Sequence, residues 1–371
     1  MKGLVLSITA GQGHNQTAMV ISKRFNECGV ECKYLDVYKF INPILSDSVN
    51  KIYLMSTKAI PKIYGGVYRM CEKRGVQSGA GIHGLNRITN SVLSRSLIKL
   101  IQKEKPDFII CTHIFAALLV TYISSIEHLN AKTIGVITDF TIHPYWEDSL
   151  LDYYIIANER LTIQGIKKGF PENKFLPLGI PIGTKFSRKI EKSKAKEILN
   201  LHSKHTILVM SGSMGFGAVY KEIEELDKLD MDFEIVSVSG NNKKLKTKID
   251  SMETRKKIYS YGYINNVDVF MDACDCIITK PGGLTTSEAL AKQIPMLINN
   301  PIPGQEDRNV EFLLNAGAAM RISRGCWAGS MPWSKSPHTC SSTTATTMPA
   351  RRSPPACVTS TACLLYTSDA A

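Results

Sequence analysis

The sequence predicts an α/β protein made of two Rossmann-like parallel-sheet domains facing a cleft. Three observations carry that expectation. Short β-branched strands alternate with amphipathic helices, the alternation runs twice, and a Pro/Gly-rich joint around 177–183 separates the runs. In the first run strands are expected at 3–9, 31–36, 107–112, 133–138 and 153–157. Helices are expected there at 16–26, 92–103, 115–128 and 159–168. The second run places strands at 206–210, 233–238, 258–261, 276–279 and 296–299. Its helices fall at 192–200, 217–229, 243–251, 267–273, 285–292 and 308–316. The domains are therefore drawn as 1–180 and 187–322. A segment at 37–88, longer than a βαβ unit needs, reads as a functional insertion in the first domain.

The segment 323–371 breaks the pattern. Ser, Thr, Pro, Ala and Cys dominate it, aliphatic periodicity vanishes, and Asp369 is its only acidic residue. It reads as a non-native, disordered tail of the kind an out-of-frame translation produces, so it carries no weight in the fold.

Composition narrows the function. The chain has 371 residues and a net charge of +12, which favours an anionic partner such as nucleic acid, lipid headgroups or a nucleotide. No stretch approaches the roughly 18 unbroken apolar residues needed to span a bilayer. The N-terminal MKGLVLSITAGQGH reads as a first strand rather than a signal peptide, which suggests a cytoplasmic protein. Cys28, Cys32, Cys71, Cys111, Cys274 and Cys276 are scattered through expected core elements without a C-x-x-C pair, so neither a zinc site nor a disulfide framework is expected. The basic excess is concentrated between Pro61 and Pro106, where Lys and Arg alternate with Tyr64, Tyr68 and aliphatic residues. That mixture suits an anionic membrane surface, and equally a solvated helix face.

Four motifs carry chemistry. A strand ending in Pro281-Gly282-Gly283 opens into Leu284-Thr285-Thr286-Ser287-Glu288. Such a turn aims free backbone N–H groups at one spot and holds a phosphate without a metal. Glu288, about one turn on, suits ribose hydroxyls, and the next loop supplies Gln305 and Glu306 for sugar hydroxyls. The second motif, Met210-Ser211-Gly212-Ser213-Met214-Gly215-Phe216-Gly217, is a further phosphate cradle after a strand. Together the two loops outline a nucleotide-sugar site. Neither is followed by a Walker lysine, and no D-x-D metal pair appears in a suitable place, so no metal is expected.

The third motif is Thr9-Ala10-Gly11-Gln12-Gly13-His14-Asn15, which sets His14 at a helix N-terminus. The helix dipole there favours a neutral imidazole able to act as a base. The fourth is Thr138-Asp139-Phe140-Thr141-Ile142-His143-Pro144-Tyr145-Trp146. It brings Asp139 to a strand's carboxyl end, where it orients His14, binds an acceptor or simply caps the next turn. In that last case His143 is a surface residue.

The motifs TAGQGHNQTA, ITDFTIHPYW, SGSMGFG, YGYINNV, TKPGGLTTSEALA and NPIPGQEDRN together resemble the monogalactosyldiacylglycerol synthase and processive diacylglycerol glucosyltransferase family. These are inverting GT-B enzymes related to the transferase that makes lipid II. The resemblance covers 1–322. It implies transfer of glucose or galactose from UDP-glucose or UDP-galactose to diacylglycerol, without a cofactor, at the inner face of the cell membrane and without nucleic acid. It implies a catalytic role for His14 and an acceptor-side role for Asp139. Gly212, Ser213, Met214 and Gly215, with Gly282, Gly283, Leu284 and Thr285, fall on the donor diphosphate loops. Tyr263 and Ile264 fall where backbone contacts hold the uracil, Glu288 on the ribose ligand, and Gln305 and Glu306 on the sugar contacts. The insertion around 49–87 falls where the family docks on membranes and admits diacylglycerol. The alternatives are transfer of N-acetylglucosamine to an undecaprenyl-linked muropeptide, a UDP-sugar 2-epimerase and a non-enzymatic lipid- or nucleic-acid-binding protein. One departure stands out: the family's C-terminal helix, which returns to the first domain, is replaced here by the Thr/Pro-rich tail.

Overall fold

The computed structural model describes residues 1–9, 12–42, 93–210, 212, 215, 218–299, 301, 304–322 and 332. The insertion beyond Asn42, the tail after Ile322 except Pro332, and Ser213 and Met214 lie outside the described residues. The chain divides into two compact units, Met1–Gly183 with Ile302–Arg308, and Thr184–Pro301 with Asn309 onward.

The first unit is built on a six-stranded parallel sheet. Its strands are β1 (Lys2–Ser7), β2 (Glu31–Asp36), β3 (Phe108–Cys111), β4 (Lys132–Val136), β5 (Tyr153–Ile155) and β6 (Phe175–Leu176), in the order β2-β1-β3-β4-β5-β6. Its helices are α1 (Gly13–Glu27), α2 (Val37–Ile41), α3 (described over 93–104), α4 (Ile114–Ile126) and α5 (Arg160–Lys167). The strand order reverses between β1 and β3, so a topological switch point lies at their paired carboxyl ends. Both faces of the sheet are covered. Leu4, Leu6, Ile109 and Cys111 point into one core, while Val5, Phe108, Ile110 and Val136 point into the other. That is why these strands read as continuous apolar runs rather than an alternating pattern.

The second unit repeats the plan. Its strands are β7 (Thr206–Met210), β8 (Glu234–Val238), β9 (Ile258–Tyr261), β10 (Cys276–Thr279), β11 (Met296–Ile298) and β12 (Ala319–Arg321), in the order β12-β11-β10-β7-β8-β9. Its helices are α6 (Lys192–Ile198), α7 (Val219–Asp227), α8 (Lys243–Asp250), α9 (Val267–Ala273), α10 (Gly283–Lys292) and the part of α11 (Gln305–Asn315) from Asn309 on. Here the switch point lies between β7 and β10, which pair in parallel with Val209 beside Ile278. A buried ion pair fastens the start of this unit to its helices. Lys292 Nζ lies 2.5 Å from Asp272 Oδ2, with side chains 1% and 0% exposed. Asp272 also accepts from the Ile190 backbone N–H, and Lys292 donates to the Arg188 carbonyl. Two buried charges are tolerable only when paired in this way, and here the partners all meet Asp272 through Oδ2.

Three expectations need correction. Gln305 and Glu306 do not sit in a loop: they open α11. Gly304 adopts φ +102°, and its N–H donates to Asp307 Oδ2 at 3.0 Å. That single bond, from the N-cap N–H to the side chain three residues on, starts the helix just past the proline-rich segment. Cys28 is exposed at the end of α1 rather than in a core. His143 is no free surface residue: the Tyr145 N–H donates to its Nδ1, capping a short 3-10 turn over Pro144–Asp148.

Candidate active site

The candidate groups gather at the two switch points. In the first unit, β1 leads through Gln12 into α1, which sets His14 in the helix's first turn. His14 Nδ1 lies 2.9 Å from the Thr112 carbonyl oxygen and 2.9 Å from Thr138 Oγ1. A carbonyl only accepts, so in the neutral ring Nδ1 carries the proton and Nε2 keeps the lone pair. The ring is partly exposed. Loss of hydration holds its pKa below the usual histidine value, opposed by the negative charge of Asp139 and by the Thr112 carbonyl. The shift favours the neutral ring, and burial is its chief cause.

Asp139 follows β4 as expected, and its charge acts on His14. Two further imidazoles line up beside it. The His113 ring meets the His14 ring edge-on at 4.6 Å, and His113 Nδ1 accepts from the Phe115 N–H to cap α4. Burial, with His14 and His143 nearby, pushes the His113 pKa well down. Burial and the Lys168 charge bring His143 down to about 4. All three rings are neutral at physiological pH. The turn before His14 is fixed from the side: Thr9 Oγ1 donates to Asp36 Oδ2 and accepts from Asn15 Nδ2 at 2.7 Å.

In the second unit, α10 begins at the carboxyl end of β10. Gly282 is its N-cap, and no side chain caps the helix. The first bond that closes back is Thr286 N–H to the Gly282 carbonyl. The N–H groups of Gly283, Leu284 and Thr285 therefore have no intrahelical acceptor, and they share the positive end of the helix. Space above Gly282 is open: an added Cβ would meet nothing within 4 Å. Asn309 Nδ2, buried, donates to the Pro281 carbonyl at 2.9 Å and fixes the turn.

On the neighbouring strand, Gly212 (φ +67°) and Gly215 (φ +59°) bend the loop after β7. A Cβ on Gly215 would lie 2.1 Å from the Ser239 carbonyl oxygen, so only glycine fits. Glu288 lies further along α10, and burial pushes its carboxyl up to about 8, against the pull of Lys185 and with the support of Asp268. Lys185 sits 3.3 Å from Asp268 and donates to the Asn265 carbonyl, which holds the loop bearing Tyr263 and Ile264. The Tyr263 side chain is itself exposed.

The structure thus groups His14 with Asp139, and Glu288 with the Gly282–Thr285 helix start. Glu306 and Gln305 lie on α11, one turn before Asn309. Sequence reasoning missed Thr112, Thr138, His113, Lys185 and Asp268. The available signal was polar residues directly after apolar strands, as in Cys111-Thr112-His113 and Ile137-Thr138-Asp139. Among the described residues no cluster of three His, Cys, Asp or Glu side chains is arranged to hold a metal ion.

Comparison with known proteins bears on the family and the fold. The profile of monogalactosyldiacylglycerol (MGDG) synthase matches residues 14–182, and that of the glycosyltransferase family 28 C-terminal domain matches 206–330. The processive diacylglycerol beta-glucosyltransferase of Bacillus pumilus (strain SAFR-032) is 30% identical over 87% of this chain and 83% of its own length. The protein of the same name from Bacillus cereus (strain AH187) is 28% identical over 86% and 82%. Among solved structures, Acinetobacter baumannii MurG superposes with a TM-score of 0.57 at 14% identity, covering 87% of this chain and 86% of that one. The two parallel-sheet units are those of the GT-B fold, and the chain belongs to the family of monogalactosyldiacylglycerol synthases and processive diacylglycerol glucosyltransferases.

Proposed function

We propose that the protein transfers a hexose from a UDP-sugar to the 3-hydroxyl of 1,2-diacylglycerol, inverting the anomeric carbon, to make a membrane glycolipid. The observation that carries the donor half is the start of α10, which no side chain caps and whose N–H groups at Gly283, Leu284 and Thr285 have no intrahelical acceptor, beside the open space at Gly282. A diphosphate is the ligand such a terminus favours. Gly212 and Gly215, with Ser213 and Met214 between them, are assigned to the same diphosphate. Tyr263 and Ile264 are assigned to uracil, Glu288 to ribose, and Gln305 and Glu306 to the sugar. A raised Glu288 pKa supports the ribose role, because the neutral carboxyl both donates to and accepts from hydroxyls without repelling phosphate.

The acceptor half is taken from the relatives, whose names specify diacylglycerol and glucosyl transfer. They favour glucose over galactose. In this reading His14 Nε2 removes the proton from the acceptor hydroxyl as its oxygen attacks the anomeric carbon. The bond from that carbon to the diphosphate oxygen breaks, and UDP leaves with the negative charge stabilised at the α10 N-terminus. Asp139 stabilises the imidazolium that forms. No cofactor takes part. The first unit carries acceptor and membrane binding, and the second carries the donor.

No helix among the described residues is long and apolar enough to cross a membrane. We assign the protein to the inner face of the cell membrane as a peripheral protein, held by its basic surface. The test is a matrix of UDP-glucose and UDP-galactose against diacylglycerol, an undecaprenyl-linked muropeptide and no acceptor. Glycosyl-diacylglycerol from UDP-glucose is expected. Product only with the muropeptide, or conversion of the nucleotide sugar without acceptor, would overturn the reading.

A further inference from the structure

Two threonines from neighbouring strand ends hold the same histidine. Thr112 directly follows β3, Thr138 lies two residues past β4, and both are buried, at 0% and 7% exposure. Thr112 takes hold at two points. Its carbonyl faces the His14 Nδ1 at 2.9 Å, and its hydroxyl donates to the His14 main-chain carbonyl at 3.0 Å. Thr138 adds its hydroxyl oxygen at 2.9 Å from Nδ1. A buried threonine hydroxyl can be satisfied by nearby backbone, and Thr112 has such a partner in the Leu6 carbonyl at 3.5 Å. The shorter bond goes to His14 instead. Helix start and ring are thus both pinned, so backbone position and ring orientation are fixed together.

The chemistry of the contacts also selects a tautomer. A proton on Nε2 alone would leave the Nδ1 lone pair facing the carbonyl lone pairs of Thr112, a repulsive pairing in a poorly hydrated place. With the proton on Nδ1, both oxygens accept, and the lone pair lies on the opposite edge of the ring. Thr138 is also the chain neighbour of Asp139, so its contact fixes the ring relative to that carboxylate.

We propose that Thr112 and Thr138 are positioning residues that hold His14 as the Nδ1–H tautomer, leaving Nε2 to accept the proton of the acceptor hydroxyl. This rests on the reading of His14 as the base, and the test separates the two. Imidazole nitrogens of the 15N-histidine-labelled full chain are observed by NMR near neutral pH, with the His14 signals assigned by their loss in His14→Gln. The wild type is expected to show protonated Nδ1, and finding Nε2–H instead would overturn the proposal without any variant. Thr138→Val is expected to raise the Nε2–H share and lower kcat roughly tenfold, with KM for the UDP-sugar unchanged within about twofold. Thr138→Ser should restore both. Thr138→Val with an unaltered tautomer, whatever its kcat, contradicts the proposal. Should His14→Gln keep full turnover while Thr138→Val still shifts the tautomer, the base reading fails and the positioning role stands.

Discussion

At the residue scale the site depends on keeping ionisable groups neutral. Glu288 is the sharpest case, with burial raising its carboxyl to about 8. The unfolded chain loses that proton near the ordinary carboxylate pKa of about 4.3. Between those limits the folded state binds more protons than the unfolded one, so stability falls as pH rises through the window. Lys185 and Asp268 are the charged groups acting on it. Glu288→Gln should flatten the decline and stabilise the protein near pH 8 by about 1–3 kcal/mol, allowing for partial exposure. Urea denaturation at pH 5 and pH 8 checks this, and a parallel decline in wild type and variant would show that Glu288 is not its cause.

Residue identity at these places was legible in the sequence, whereas their partnerships were not. His14 and Asp139 announce themselves as polar groups after glycines and a strand. The contacts of His14 with Thr112 and Thr138 span 98 and 124 residues. They exist only because β1, β3 and β4 lie side by side, an order that no local pattern states.

At the scale of elements, the glycine loops act through space as much as through flexibility. Gly215 has a positive φ, and a Cβ there would collide with the Ser239 carbonyl. Gly29 has a positive φ of +80° with nothing within 4 Å of an added Cβ. Gly215→Ala should therefore cost about 2–4 kcal/mol, against about 1 kcal/mol for Gly29→Ala. Equal losses in denaturant midpoint would show that the contact with Ser239 carries no weight.

Most long elements were legible because two-sided burial writes apolar runs and helical spacing into the chain. β2, β7, β9, β10 and α9 appear with the expected bounds. β6 and β12, two and three residues long, carry too little pattern to be seen. Pro301 and Pro303 predict a loop where α11 starts, while the cap from Asp307 to Gly304 is what begins the helix.

At the scale of the whole molecule, each unit places its candidate groups at the switch point of its own sheet: His14, Thr112 and Thr138 in one, the Gly212–Gly215 and Gly282–Thr285 turns in the other. Two such units per chain are the GT-B plan. The net charge of +12 adds an expectation for the membrane partner. Binding to vesicles containing anionic lipid should weaken strongly between about 50 and 500 mM salt, and uncharged vesicles should bind poorly at any salt. Salt-independent binding would remove electrostatics as the anchor.

The proposed base for sugar transfer to diacylglycerol is a neutral His14. The most direct measurement compares turnover and UDP affinity of the wild type with His14→Ala, using labelled UDP-glucose and diacylglycerol. Turnover should fall by roughly 100-fold or more, with UDP affinity unchanged within about twofold. Near-normal turnover with normal UDP binding would contradict it.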